Sequence, residues 1–99
     1  MTLSLQSVRR EIDLIDSEIL RLLNLRVQAA MRAGKLKAAA GRAVYDAQRE
    51  DEIVNGMLRE NTGPLNDAAL ERIFRRIVTE SRLLAESVVE SELSTSHHG

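Results

Sequence analysis

Apolar residues recur along the first part of the chain at Leu5, Val8, Ile12, Ile15, Ile19 and Leu22, alternately three and four positions apart. That spacing is one face of a helix turning about 100° per residue. It predicts a single helix from Leu5 to Ala40, a stretch without proline and with one glycine, Gly34. Ser4 or Ser7 can cap its amino end, and Gly41 is a natural stop after Ala38, Ala39 and Ala40. The same stripe then changes character, because its next positions are Arg26, Ala29, Ala30, Ala33 and Lys37. Two cations thus sit almost in register on a line that had been hydrophobic, about three turns or roughly 16 Å apart. They could snorkel to solvent from a loosening helix end, or they could line an anion pocket that the small alanines leave open. The absence of an acid beside them on the stripe favours the pocket.

A second helix is predicted after the short connection from Gly41 to Tyr45, with Asp46 as its cap and Ile53, Met57 and Leu58 as a thin apolar stripe. Asp46, Arg49, Glu50 and Ile53 share one face at spacings of three and four, either as a cap with surface charges or as part of a site. Asn61, Thr62, Gly63 and Pro64 end this helix. Asn66 or Asp67 then caps a third helix, whose stripe reads Leu70, Ile73, Phe74, Ile77, Val78, Ser81, Leu84, Ala85 and Val88. Ser81 is the polar residue within it, and a serine in that setting usually bonds the carbonyl four residues earlier. Residues 1–90 are expected to form one helical domain. Residues 91–99 read as a disordered tail, whose adjacent His97 and His98 are not expected to bind metal.

Length turns these elements into an oligomer prediction. A helix of about 35 residues is roughly 50 Å long, whereas a compact domain of 100 residues has a radius of gyration of about 13 Å. The remainder of a 99-residue chain, in two shorter helices, cannot cover such a rod. The stripe therefore calls for a second copy of the chain, most simply in a twofold dimer of long helices. Composition agrees with helices packed by aliphatic residues: 43% of the chain is hydrophobic but only 2% aromatic. The formal net charge is -1, the basic residues are interleaved with acids, and no aromatic stacking set is present, so nucleic-acid binding is not expected. The lack of cysteine removes disulfides, a thiolate nucleophile and Cys-ligated metal. Neither a signal-peptide pattern nor a long apolar run is present, which makes a soluble, cytoplasmic protein without membrane contact the default expectation.

Taken in order, several motifs resemble the all-helical, AroQ-type chorismate mutases from about Leu5 to Glu86. They are Arg9 in an Arg-x-x-Ile-x-x-Ile-Asp pattern closing at Asp16, then Leu22, Leu23 and Arg26, then Gly34-Lys35-x-Lys37. Val44-x-Asp46-x-x-Arg49-Glu50 and Phe74-x-x-Ile77-x-x-x-Ser81 follow. The resemblance implies three helices per chain intertwined with a second copy, and a Claisen rearrangement of chorismate to prephenate on the route to phenylalanine and tyrosine. No metal or organic cofactor is implied. Catalysis of this kind selects a compact conformer and stabilises charge that separates as the ether bond breaks. By resemblance, Arg26, with Arg9 from the other subunit, clamps the two carboxylates of the substrate. Lys37 donates to the ether oxygen, Arg49 adds positive potential, Glu50 and Asp46 hold the ring hydroxyl, and Ser81 meets a carboxylate. Intersubunit donation would account for Arg9 lying about 100° around the helix from Arg26.

One position departs from the family. Where a glutamine or glutamate usually follows the serine by one turn and donates to the ether oxygen, this chain has Ala85. Glu86 lies roughly 140° around from Ser81 and is expected to point elsewhere. A water or Arg82 could supply the donor; otherwise the enzyme is slow, since such a donor is commonly worth about a hundredfold to a thousandfold, or a partner enzyme of the shikimate pathway orders the site. Two alternatives stand beside the mutase: an isochorismate-pyruvate lyase of the same fold, and a non-catalytic helical dimerisation or regulatory module. Asp46, Arg49 and Glu50 fit the mutase pattern better than the lyase one, whereas Ala85 is the best argument for the module.

Overall fold

The structure is a computed structural model that describes residues 3–96, with side chains described to residue 93. It contains three helices, α1 (Leu5–Ala39), α2 (Ala47–Glu60) and α3 (Asp67–Ser96). Each starts where a short polar side chain can satisfy free backbone amides. Ser4 caps α1 in a reciprocal arrangement: its hydroxyl accepts from the Ser7 amide and the Ser7 hydroxyl accepts from the Ser4 amide. Asp46 caps α2 by accepting from the Arg49 amide at 3.0 Å, and Asn66 caps α3 by accepting from the Ala69 amide at 2.8 Å. Helix α1 ends in a Schellman turn. Gly41, at φ 71°, takes the left-handed conformation that turn needs, while the amides of Gly41 and Arg42 close onto the carbonyls of Ala38 and Lys37.

Helix α3 is the hub, packing on both α1 and α2. The buried positions are Leu70, Val78, Ser81, Ala85 and Val89 on α3, Val54 on α2 and Gly34 on α1. On α3 the spacing of three and four is as expected, but Ile73 and Leu84 at the edges of the stripe are about half exposed. On α2 the fully buried side chain is Val54 rather than its neighbour Ile53, because the helix is turned about 100° from the orientation that the larger residue suggested. Gly34 marks the closest approach of α1 and α3: a Cβ built on it would lie 3.2 Å from the Cβ of Ala85.

Two features of the outline depart from a small globular domain. The radius of gyration is 17.9 Å and the principal extents are 65 × 28 × 15 Å, against about 13 Å expected for a compact chain of this length. The cause is α1, whose amino-terminal half projects with Leu5, Ile12, Ile15, Ile19 and Leu22 each between 48% and 67% exposed. The carboxy-terminal end differs from expectation. Helix α3 continues to Ser96 instead of giving way to a tail at residue 91. Val89 is buried, Leu93 follows it by one turn, and Glu92 pairs with Lys35 of α1 at 2.8 Å, so the short polar stretch is tied to the body. His97 and His98 lie outside the described residues. Among the described residues no helix is long and apolar enough to cross a membrane.

Candidate active site

The alanine-rich half of α1, the first turns of α2 and the middle of α3 enclose a cavity of about 320 Å³. Its size suits a small organic ligand. Arg26, Lys37, Asp46, Arg49, Glu50, Ser81 and Ala85, which the sequence singled out from three separate helices and a cap, all line it. Arg9 does not. On its own chain it is exposed on the amino-terminal half of α1, about 25 Å along the axis from Arg26.

Local structure explains how each charged group reaches the cavity. Ala29, Ala30, Ala33 and Gly34 carry almost no side chain, so the wall between Arg26 and Lys37 stands back and leaves space. Burial, and secondarily the neighbouring Arg49, holds the Arg26 guanidinium below its ordinary pKa, with Glu50 partly offsetting both. Among the described residues no carboxylate lies within ion-pair distance of Arg26, so this cation is half-buried without a direct ion-pair partner. Lys37 belongs to the last turn of α1, and its Nζ donates to the carbonyl of Val44 at 3.2 Å across the connection. An ammonium has three donors, so this bond aims the group without exhausting it. The cap formed by Asp46 places Arg49 and Glu50 in the first turn of α2, where both line the cavity.

Ser81 is 2% exposed, and its hydroxyl donates to the carbonyl of Ile77 at 2.8 Å, the bond expected of a serine on a helical stripe. Its oxygen lone pairs therefore remain for the cavity while its proton is committed, and a carboxylate bound there would recruit the hydroxyl only after rotation. Ala85, 1% exposed, contributes a methyl group where a longer polar side chain would fill space.

Arg82, only a minor candidate on sequence grounds, completes the wall. Its Nε donates to Glu50 at 2.8 Å, its Nη1 donates to Glu86 at 3.2 Å, and its guanidinium carbon lies 4.3 Å over the ring centre of Tyr45. Burial opposes its charge, but the hydrogen bonds to Glu86 and Glu50 outweigh that effect and hold its pKa above the ordinary value. The pairing with Glu86, one turn away, is readable from spacing. The pairing with Glu50, thirty-two positions away, is not.

Four cations and two carboxylates line the cavity, an excess of two positive charges in a partly desolvated space. Such a site favours a small dianion. Its wall is mostly apolar, shaped by the alanines with Val44, Ile53 and Val78, and hydrogen-bond donors predominate among its polar groups.

The described features agree with what is found among known proteins. The profile of the type II chorismate mutase family matches residues 8–86. A region of the bifunctional chorismate mutase/prephenate dehydratase of Neisseria gonorrhoeae is 44% identical over 72 residues, covering 73% of this chain and 19% of the relative. The protein of the same name from Aquifex aeolicus is 39% identical over 88 residues, covering 85% of this chain and 24% of the relative. The chain thus spans about a quarter or less of the length of these relatives. The structure of chorismate mutase (form II) from Thermus thermophilus superposes with a TM-score of 0.79 at 36% identity, covering 82% of this chain and 92% of that one.

Proposed function

This chain belongs to the type II chorismate mutase family, and from that premise we propose that it rearranges chorismate to prephenate in a homodimer whose sites are shared between subunits. The observation that carries the proposal is the cavity in which Arg26, Lys37, Arg49 and Ser81 converge with an excess of two positive charges, matching a substrate with two carboxylates.

The reaction moves electrons within one molecule. The ether C–O bond breaks as a C–C bond forms, and negative charge gathers on the ether oxygen in the transition state. Nothing has to be abstracted, so the residues act by holding a compact conformer and by meeting that charge. In this reading Arg26 takes one carboxylate with its planar fork, and Arg9 of the partner subunit takes the other. Lys37, aimed by Val44, donates to the ether oxygen. That contact strengthens as the bond breaks, which is what lowers the barrier rather than merely tightening binding. Glu50 and the free oxygen of Asp46 accept the ring hydroxyl, Arg49 raises the local potential, and Ser81 turns toward a carboxylate.

The dimer is supported by the uncovered apolar stripe from Leu5 to Leu22, which leaves the amino-terminal half of α1 free to take the same stripe of a second copy. It also gives Arg9 a role that its own chain denies it, because a twofold partner brings the amino-terminal half of one α1 toward the carboxy-terminal half of the other.

The deciding experiment follows loss of chorismate absorbance with purified protein and no added cofactor. Conversion above the uncatalysed rate, with prephenate as product, is expected. No acceleration would overturn the proposal, and release of salicylate and pyruvate from isochorismate instead would redirect it to the lyase.

A further inference from the structure

Glu50 is asked to accept a hydrogen bond from the substrate, yet it stands on the first turn of a helix beside Arg49 and could swing toward solvent. What holds it is Arg82. The Arg82 side chain is 22% exposed and that of Glu50 is 16% exposed, so their 2.8 Å contact is shielded. A shielded pair is worth more than the exposed ion pairs elsewhere on α2 and α3. Arg82 is itself held from three directions: Tyr45 lies under the guanidinium, Glu50 takes Nε and Glu86 takes Nη1. These partners come from the connection before α2, from α2 and from α3, so one planar group ties together the three segments that close this side of the cavity.

The same geometry answers whether Arg82 supplies the donor missing at Ala85. A guanidinium stacked on Tyr45 and bonded to two carboxylates is committed to the cavity wall and is not free to follow the ether oxygen. Its contact with Glu50 occupies Oε2, while among the described residues no hydrogen bond reaches Oε1. One oxygen is thus clamped and the other left open beside the ligand space.

We propose that Arg82 is a positioning residue that presents the open oxygen of Glu50 to the ring hydroxyl of the substrate, and so sets the preference for substrates that carry that hydroxyl. The inference rests on the chorismate mutase reading. It predicts an effect on selectivity, which a purely structural tie would not produce. A hydrogen bond to a charged acceptor is worth about ten- to a hundredfold, so the substrate bearing the hydroxyl should lose that factor relative to one without it.

The experiment compares kcat/KM for chorismate and for its analogue with hydrogen in place of the ring hydroxyl, in wild type, Arg82→Met, Arg82→Lys and Glu50→Gln, with folding checked by circular dichroism. Methionine keeps much of the side-chain length without the charge. Lysine keeps the charge but cannot span Glu50 and Glu86 together. Arg82→Met should lower kcat/KM for chorismate about ten- to a hundredfold more than for the analogue, so that discrimination falls to the level of Glu50→Gln. Arg82→Lys should fall between and serves as the test if Arg82→Met does not fold. Combining Arg82→Met with Glu50→Gln should add little to either alone. An unchanged ratio between the two substrates in both Arg82 variants, whether activity falls or not, would overturn the proposal while leaving the mutase reading intact. A wild-type protein inactive on chorismate would overturn both.

Discussion

Ala85 touches Gly34 on one side and the cavity on the other, and these contacts decide what can be built there. A glutamine would keep the Cβ that already packs against α1 and could send its amide into the open volume. Ala85→Gln should therefore raise kcat, by about tenfold or more if it recovers part of what one transition-state donor is worth. Saturating chorismate kinetics check this, and an unchanged or lower kcat in a folded variant would mean that the position does not lack a donor. Helical spacing groups Arg26 with Lys37, Asp46 with Arg49 and Glu50, and Ser81 with Ala85, while joining these three sets into one site rests on the family resemblance, and all seven line the cavity. The tie from Arg82 to Glu50 is not legible in spacing. Glu86 and acids on other elements compete for this arginine, and the outcome depends on how α2 is rolled against α3. The same roll puts Val54 rather than Ile53 in the core.

The helices themselves are more legible than their contacts. Ser4, Asp46 and Asn66 mark starts because short oxygen-bearing side chains satisfy amides that nothing else can, and Gly41 marks a stop because the turn needs a positive φ. The end of α3 is hard to read because Glu90, Ser91 and Glu92 look like a solvated tail, whereas the cation that Glu92 meets, Lys35, lies on another element. Contact between elements is tightest at Gly34. In Gly34→Ala the new methyl would meet the Ala85 Cβ at 3.2 Å, and because both atoms are fixed to helix backbones, α1 and α3 must separate slightly. Overpacking of this kind costs about 1–3 kcal/mol, against a gain of roughly 1 kcal/mol in helix propensity. Urea denaturation should show a net loss of about 1 kcal/mol, accompanied by reduced kcat/KM as Arg26 and Lys37 shift relative to Ser81. A more stable variant with full activity would show that the interface yields without consequence.

At the scale of the whole molecule, the prediction concerns how many chains make a site. Arg9→Ala and Lys37→Ala proteins should each be nearly inactive, and mixing them with subunit exchange should restore activity, because a mixed dimer carries one site with both residues intact. Activity that stays absent despite proven exchange would exclude donation of Arg9 across the dimer. The expectation of a partner comes from length, since a rod of about 50 Å exceeds what roughly sixty further residues can cover. How the partner sits does not, because the exposed stripe fixes a face but not a crossing angle. With a second copy on that stripe, the folded state becomes a two-body state. If that copy covers Leu5, Ile12, Ile15, Ile19 and Leu22, which the chain's own core leaves exposed, stability would obey mass action, and dilution would unfold and inactivate the protein together. Substitutions at Ile12, Ile15 or Ile19, far from any reacting atom, would then set the concentration below which the cell has no enzyme at all.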